Sequence, residues 1–375
     1  MGQAQYAVAI KTIGRQLVDT GQTITGRGAQ FNPANRFERI TLEDDWEHLQ
    51  DDDTVGAPSR PRTEYFVDES RSILSENDSP DIPFRYSLNP YRGCAHGCAY
   101  CYARPTHEYF GLSAGLDFET KIFVKLRAPE LLREQLCRPD WQPEPIMFSG
   151  ATDCYQPIER TLQLTRRCLQ VALEACQPVS IVTKNALIER DLDVLVPMAQ
   201  MRLVRVAISV TSLDQSLTRD LEPRTASPAA RLRVMEKLSH SGIPVTVMVA
   251  PVIPGLNDME VPRILKAAAE HGAQAAAYVL LRLPLTVAPV FLDWLGRKRP
   301  LLKDRVESRI RATHGGQLNC AQFGERMRGS GLLAEQIRQT FQVFARRYGL
   351  DRRLPPLDVS QFRPPRACNG QLWLW

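Results

Sequence analysis

Between residues 121 and 281, short apolar segments alternate with longer amphipathic segments, and this alternation limits the folds open to the chain. The apolar segments are rich in Val and Ile, which is typical of parallel strands buried on both faces. They lie at 121–126, 146–149, 179–183, 204–210, 245–250 and 275–281. The amphipathic segments, predicted as helices, lie at 128–137, 158–176, 188–200, 227–241 and 259–271. Repeated strand–helix units predict an α/β protein with a parallel sheet, either doubly wound or closed as a barrel.

The composition of the chain changes along its length and indicates four regions. Residues 1–84 are rich in Gly, Asn and acidic side chains, which predicts an irregular N-terminal extension. Residues 85–295 hold the strand–helix units and form the predicted core. Residues 296–350 predict a helical C-terminal segment with two helices around a Gly-rich link, and residues 351–375 predict a Pro-rich tail.

Charge is distributed unevenly along the chain. Residues 1–84 hold 8 basic and 15 acidic side chains, whereas residues 297–353 hold 14 basic and 5 acidic ones, within a net charge of +5. A basic region attracts DNA or RNA through phosphate contacts. An arginine-rich helical surface in contact with solvent explains the same charge, so both interpretations stay open.

The cysteine content indicates metal or redox chemistry. There are nine cysteines, an odd number in a long chain, which argues against a disulfide framework. No apolar run reaches the ~18 residues of a membrane span, and the N-terminus lacks the apolar core of a secretory signal. We therefore expect a cytoplasmic protein without a membrane span.

Three cysteines lie within eight residues, in the segment NPYRGCAHGCAYCYARP at 89–105. Cys94, Cys98 and Cys101 have the spacing C-x-x-x-C-x-x-C, and three thiolates on a short loop can hold three irons of a cubane. The fourth iron then stays open to a small molecule. The alternative is a structural zinc ion, for which His96 or His107 would supply the fourth ligand.

The cysteine loop resembles the signature C-x-x-x-C-x-aromatic-C of radical S-adenosylmethionine (SAM) enzymes, with Tyr100 at the aromatic position. The segments SGATDCYQPIERTLQLTR, TKNALIERDLDVL, LEPRTASPAARL and GIPVTVMVAPVIPGLND resemble successive blocks of the branch related to spore photoproduct lyase. The early segment GRGAQFNPANRFE resembles the leader of one bacterial subgroup of that branch.

This resemblance implies a fold and a reaction. The fold would be a partial (β/α)6 TIM-like barrel. A [4Fe–4S] cluster on Cys94, Cys98 and Cys101 would pass one electron to SAM, and the resulting 5′-deoxyadenosyl radical would abstract hydrogen from a substrate. The electron would come from an external donor of the flavodoxin or ferredoxin type.

The same resemblance assigns roles to residues at the ends of the strands. Tyr100 would lie near the adenine of SAM. Thr152 and Asp153 would meet its amino group, although GATD stands here in place of the common Gly-Gly-Glu. Lys184 would pair with its carboxylate.

Three further residues receive cofactor roles from the resemblance. Ser209 and Thr211 would meet the ribose or the carboxylate, and Asn257 belongs to the PGLND stretch that would shape the adenine end. For all these residues, structural roles such as capping remain open.

Cys154 is a candidate hydrogen donor to a substrate radical. Spore photoproduct lyases use a cysteine near the end of the second strand, and the resemblance aligns that position with Ala151 rather than with Cys154. A buried, unreactive Cys154 is the alternative.

The end of the chain predicts a docking motif. Gln371, Leu372, Trp373, Leu374 and Trp375 resemble the pentapeptide that binds the bacterial sliding clamp, and packing of this tail on the barrel is the alternative. Three functions therefore remain: a radical SAM enzyme acting on nucleic acid, one acting on a small molecule or peptide, and a zinc-stabilised nucleic-acid-binding protein without catalysis.

Overall fold

Ten strands form within residues 24–37 and 61–365, which are the residues that the computed structural model describes. The ten strands are β1 (Glu64–Val67), β2 (Leu74–Glu76), β3 (Tyr86–Leu88), β4 (Tyr91–Arg92), β5 (Lys121–Val124), β6 (Ile146–Phe148), β7 (Val179–Thr183), β8 (Val204–Ser209), β9 (Val245–Val252) and β10 (Ala275–Leu280). They form two sheets, one with seven strands and one with three.

The seven-stranded sheet carries the architecture. Its strand order is β10-β9-β8-β7-β6-β3-β2, and all neighbours are parallel except β2 and β3. Parallel strands of this kind are covered on both faces, and Val206, Val247 and Val249 are accordingly almost fully buried. The chain therefore has a mixed α/β fold with a mainly parallel sheet, as the alternation of segments predicted.

Helices connect these strands. They are α1 (Leu116–Thr120), α2 (Ala128–Leu136), α3 (Glu159–Leu162), α4 (Leu164–Glu174), α5 (Leu192–Gln200), α6 (Gln215–Leu221), α7 (Pro228–His240), α8 (Val261–Glu270), α9 (Val287–Lys298), α10 (Lys303–Ala312) and α11 (Gly331–Arg347). Short 3-10 helices span Arg104–Phe110, Ala186–Asp191, Asp258–Glu260 and Pro300–Leu302.

The local sequence explains individual helices. In α8, Val261, Ile264, Leu265 and Ala268 recur at helical spacing, and all four are buried against the sheet. The predicted helix at 158–176 is divided into α3 and α4, because Gln163 between them adopts a left-handed backbone with φ of 54°.

One predicted strand lies in a different sheet. The segment 121–126 does contain β5, but β5 pairs with β1 and β4 in the three-stranded sheet. Its placement among the strands of the core sheet was wrong. Besides β7, β6 pairs with β3, whose three residues are too few to produce a recognisable pattern.

The region treated as an N-terminal extension takes part in both sheets. Within residues 1–84, β1 pairs with β5 and β2 pairs with β3, so each is joined to a strand that lies beyond residue 84. Residues 24–37, which we call the N-terminal segment, pack against the cysteine loop and α1 through contacts described below.

Contacts close the gap between the two edges of the large sheet. In the Gly-rich link between α10 and α11, the Gly324 amide donates a hydrogen bond to the Asp81 carboxylate at 2.7 Å, and Arg326 forms an ion pair with the same carboxylate at 2.7 Å. On the other side the Leu280 amide at the end of β10 donates to the Met327 carbonyl at 2.9 Å. The link therefore bridges β10 to the residues that precede β3. None of the described helices is both long and apolar enough to cross a membrane.

Candidate cluster and cofactor site

The cysteine loop lies between β4 and the 3-10 helix Arg104–Phe110. The Cys94 amide donates to the Phe118 carbonyl at 2.9 Å, and the Cys101 amide donates to the Cys98 carbonyl at 3.3 Å. Gly97 has a φ of 67°, a left-handed conformation that favours glycine in the tight turn between the first two cysteines. These contacts hold the three thiols on one short loop, in which Cys94 and Cys98 are buried and Cys101 is half-buried.

The three thiols line a cavity of about 390 Å³ at the C-terminal ends of the parallel strands. Parallel α/β folds bind ligands at this edge, because the loops that follow successive strands converge there. Besides Cys94, Cys98 and Cys101, the predicted site residues that line this cavity are Tyr100, Thr152, Asp153, Lys184 and Ser209.

The environment of the thiols suits metal coordination. Burial raises the pKa of Cys94, and the neighbouring Cys101 and Asp153 raise it further. Burial also raises the pKa of Cys98 and of Cys101. Thiolates at these positions therefore require a compensating cation, which iron supplies when it binds. Three soft donors on one loop fit a [4Fe–4S] cluster with one iron left free of protein ligands.

Within the described residues, no three His, Cys, Asp or Glu side chains, the three cysteines included, lie close enough together to ligate a single metal ion. A [4Fe–4S] cluster binds its thiolates on separate irons, so its cysteines are spaced more widely than the ligands of one zinc ion. Of the two histidines considered as a fourth zinc ligand, His96 lines the cavity, and its Nε2 accepts a hydrogen bond from the Asn185 amide nitrogen at 3.1 Å. His107 is buried elsewhere and contacts the Lys121 carbonyl at 2.8 Å. Burial lowers the pKa of His107 to about 4.

A buried carboxylate, Glu222, organises the wall behind the cysteine loop. It accepts hydrogen bonds from the hydroxyls of Tyr100 and Thr211, and Arg231 forms an ion pair with it. Lys184 lies 3.6 Å away. Burial by itself would raise the pKa of Glu222, but the charges of Arg231 and Lys184 lower it to about 2. Glu222 is therefore ionised and fixes Tyr100 beside Cys98.

Lys184 reaches across the ends of three strands. It follows β7, donates to the Ser209 hydroxyl at the end of β8, and donates to the Ala250 carbonyl of β9 at 3.1 Å. Its ammonium also lies 5.8 Å from the centre of the Tyr100 ring. A cation held in this way can bind an anionic group in the cavity.

Asp153 connects the loop after β6 to the end of β7. Its two oxygens accept hydrogen bonds from the Thr183 hydroxyl at 2.8 Å and from the Lys184 amide at 2.9 Å. The neighbouring Thr152 donates its hydroxyl to the Tyr91 carbonyl at 2.7 Å. Thr152 therefore stabilises the loop through its hydroxyl, whereas Asp153 also presents a carboxylate to the cavity.

Two predicted cofactor-binding residues lie outside the cavity lining. Thr211 bonds to Glu222 and to the Ala250 carbonyl, at 2.5 and 3.0 Å. Asn257 accepts from the Ile253 amide at 2.6 Å and donates to the carbonyls of Thr211 and Pro251. Its amide group is therefore committed to the backbone and joins the ends of β8 and β9.

Cys154 does not line the cavity either. Its side chain is fully buried in the main hydrophobic core, and its amide donates to the Ser149 hydroxyl at 2.8 Å. The thiol therefore lies in the core and not among the residues that line the cavity, and its role as hydrogen donor stays a prediction. Ala151, the position that the resemblance aligns with the lyase cysteine, does line the cavity.

Sequence reasoning missed an ion pair that supports the cysteine loop from outside. Arg104 donates to the Cys98 carbonyl at 2.7 Å and pairs with Glu119 at 2.5 Å, and both side chains are fully buried. The two Glu119 oxygens also accept the amides of Gly28 and Ala29 of the N-terminal segment, at 3.2 and 2.8 Å. The segment GRGAQFNP was noted in the sequence, but nothing near it in the chain indicated that its backbone amides bind Glu119.

Gly28 lies in direct contact with the cysteine loop. A Cβ atom at Gly28 would meet the Gly97 carbonyl oxygen at 2.0 Å and the Ala99 amide nitrogen at 2.9 Å. The N-terminal segment is held there by Arg27, which donates to the carbonyls of Glu119 and Pro61 at 2.7 and 2.8 Å. The backbone of residues 97–99 thus contacts both the Arg104 side chain and Gly28.

The predicted clamp-binding tail, Gln371 to Trp375, lies outside the described residues and stays a prediction.

Comparisons with known proteins agree with this geometry. Residues 88–268 match the profile of the radical SAM superfamily. An uncharacterized protein of Mycobacterium tuberculosis is 38% identical over 226 residues, which cover 60% of this chain and 66% of that protein. An uncharacterized protein of Methanocaldococcus jannaschii is 28% identical over 176 residues, which cover 47% of this chain and 63% of that protein. The chain thus spans less than two thirds of the length of these relatives.

Solved structures share the fold. Spore photoproduct lyase complexed with dinucleoside spore photoproduct has a TM-score of 0.57 and 16% sequence identity, covering 77% of this chain and 81% of that one. At this identity the likeness concerns the fold. The profile match, which includes the cysteine loop and most of the parallel strands, identifies residues 88–268 as a radical SAM domain, and the chain shares the fold of spore photoproduct lyase.

Proposed function

We propose that this chain is a radical SAM enzyme built on a partial (β/α)6 barrel, in which Cys94, Cys98 and Cys101 hold a [4Fe–4S] cluster. The observation that carries the proposal is the position of all three thiols on one wall of the cavity at the strand ends. When bound, the cluster supplies the electron for reductive cleavage of SAM, whose 5′-deoxyadenosyl product abstracts hydrogen from the substrate.

The chain's own residues bind and orient SAM beside the cluster. Lys184 offers a cation to the carboxylate of SAM, and Asp153 offers an anion to its ammonium group, on neighbouring loops after β7 and β6. The Tyr100 ring, fixed by Glu222, supplies an aromatic surface next to Cys98. Ser209 keeps the Lys184 ammonium in place.

Part of the cavity lining is apolar. Met147, Val182, Met248 and Val279 contribute no hydrogen-bond donor, and only the weakly accepting Met sulfurs could accept a hydrogen bond. A dry wall limits quenching of a reactive intermediate by solvent.

Nucleic acid is the substrate class that we propose. The support is the fold shared with spore photoproduct lyase, solved with a dinucleoside photoproduct, and the excess of basic side chains in residues 297–353. The resemblance aligns the hydrogen-donating cysteine of that lyase with Ala151, which has no thiol, and Cys154 is buried and does not line the cavity. We therefore propose a reaction on nucleic acid other than photoproduct reversal.

Anaerobic reconstitution with iron and sulfide, followed by dithionite reduction with SAM, tests the enzyme class. We expect an absorption band near 400 nm and formation of 5′-deoxyadenosine. Cys98→Ala should abolish both, whereas the matched control Cys320→Ala, in the link between α10 and α11 and not part of the cavity lining, should retain both. Formation of 5′-deoxyadenosine by Cys98→Ala at the wild-type rate would remove the basis of the proposal.

Retention of DNA and RNA oligonucleotides at increasing salt tests the substrate class. Because phosphate contacts release counterions, affinity should fall steeply between low and physiological salt. Binding that does not change with salt would favour a small-molecule or peptide substrate.

A further inference from the structure

Arg282 is a cation in the cavity that pairs with no carboxylate of the described residues. It follows β10 by two residues and lines the cavity on the wall formed by Leu280 and Leu281. Its Nε is buried without a hydrogen-bond partner, and no carboxylate of residues 24–37 or 61–365 forms an ion pair with it.

The surroundings of Arg282 hold it in place without neutralising it. Its guanidinium lies 5.7 Å from the centre of the Tyr102 ring, and the Tyr102 hydroxyl donates to the Gly150 carbonyl at 2.7 Å. The Tyr102 ring therefore spans the cavity mouth from the loop after β6 to the end of β10. The nearby carboxylate of Asp81 is occupied by Arg326 and the Gly324 amide.

A half-buried guanidinium without a counterion is unfavourable. Burial lowers the pKa of Arg282, and the positive charge of Arg326 lowers it further. Buried charges in proteins are normally paired, because desolvation is otherwise uncompensated. Where an unpaired charge faces a cavity, a bound ligand is the natural source of the missing counterion.

We propose that Arg282 is the anion-binding residue of this cavity and receives a phosphate or carboxylate group of the substrate. The inference rests on the proposed function only in assuming that the cavity takes a substrate beside SAM. A guanidinium can bind either group through two parallel hydrogen bonds, and the exposed Tyr102 ring next to it offers a stacking surface.

The same anion chemistry has a second source, the carboxylate of SAM. Two cations face the cavity, Lys184 after β7 and Arg282 after β10, and these strands are separated by β8 and β9 in the sheet. Lys184 lies on the side of Asp153 and Tyr100, where both charged groups of SAM find partners. Arg282 on the far wall is then left for the substrate.

Binding of inorganic phosphate to the reconstituted, SAM-saturated enzyme tests this assignment. Phosphate binding is measured by equilibrium dialysis at constant ionic strength for wild type, Arg282→Gln and Arg282→Lys. The matched control is Arg338→Gln, an arginine paired with Glu335 on the surface of α11. Thermal unfolding and iron content verify that each variant is folded and loaded.

We expect Arg282→Gln to weaken phosphate binding at least tenfold, Arg282→Lys to weaken it less, and Arg338→Gln to leave it unchanged. The affinity for SAM should be the same in wild type and Arg282→Gln. Equal phosphate binding in wild type and Arg282→Gln, or no phosphate binding by wild type, would overturn the proposal.

Two further outcomes separate the possible sources of failure. If Arg282→Gln weakens SAM binding at least tenfold and SAM displaces phosphate from wild type, the anion is the SAM carboxylate and the substrate assignment is wrong. If wild type binds phosphate through Arg282 but forms no 5′-deoxyadenosine, the proposed function fails while the anion site stands.

Discussion

Substitution of Gly28 by alanine tests whether the N-terminal segment supports the cysteine loop. The new Cβ would lie 2.0 Å from the Gly97 carbonyl oxygen, although contacts shorter than 3.0 Å are essentially never observed for real Cβ atoms. The segment or the loop must therefore move by about 1 Å, and neither partner is a flexible side chain that could yield.

The cost of Gly28→Ala follows from this overlap. Overpacking of a close contact costs about 1–3 kcal/mol, and the reduced freedom of the unfolded chain offsets about 0.4–1 kcal/mol of it. Movement of the N-terminal segment also lengthens the hydrogen bonds from Gly28 and Ala29 to Glu119. Weakening of these bonds adds about 0.5–1.5 kcal/mol, so we expect a net destabilisation of about 1–3 kcal/mol, concentrated at the cluster-binding loop.

Two measurements on the reconstituted protein check this expectation. Thermal unfolding should begin a few degrees lower, and iron release to a chelator should be several times faster than in wild type. The control is Gly296→Ala, whose Cβ would meet no atom closer than 3.8 Å, and which should keep wild-type iron release. Identical unfolding and identical iron release in Gly28→Ala and wild type would refute the structural reasoning.

Three other substitutions have expected outcomes. Glu119→Gln leaves the buried Arg104 charge unpaired and should destabilise the fold by about 3–5 kcal/mol in denaturant unfolding, and a change below 1 kcal/mol would contradict the buried pair. Burial would raise the pKa of Glu222, but the charges of Arg231 and Lys184 lower it to about 2. The ionised Glu222 carboxylate therefore stabilises the folded state fully above about pH 4.5, and this stabilisation is lost as the pH falls toward 2. Between pH 5 and pH 3, wild type should therefore lose about 2 kcal/mol more than Glu222→Gln in urea unfolding, and equal slopes would contradict the ionised carboxylate. Cys154→Ala removes a core side chain and should cost about 1 kcal/mol while cluster content stays at the wild-type level, and loss of the cluster would contradict its position away from the cavity.

Much of the large sheet could be predicted because its strands are long and buried on both faces. The segments at 179–183 and 204–210 became β7 and β8 with nearly the predicted bounds. Burial on both faces requires nearly continuous apolar residues, and this leaves a clear pattern. The three-residue β3 leaves no such pattern, and β5 has the composition of a core strand but pairs in the smaller sheet.

The site was predictable only in part, because side chains close in sequence are easier to group than side chains close in space. Cys94, Cys98 and Cys101 lie on one loop and were recognised by their spacing. Glu222 was not singled out, because Tyr100 and Arg231, which identify its role, lie 122 and 9 residues away in the chain.

The sequence by itself determined the α/β class, the parallel strands and the loop that carries three thiols. Only the tertiary structure decided which polar groups face the cavity. It placed Cys154 in the core, committed Asn257 to backbone carbonyls, and left Arg282 without a carboxylate partner among the described residues. The physical reason is that the charge and hydrogen-bond balance of a buried group depends on neighbours brought together by folding, which local sequence does not encode.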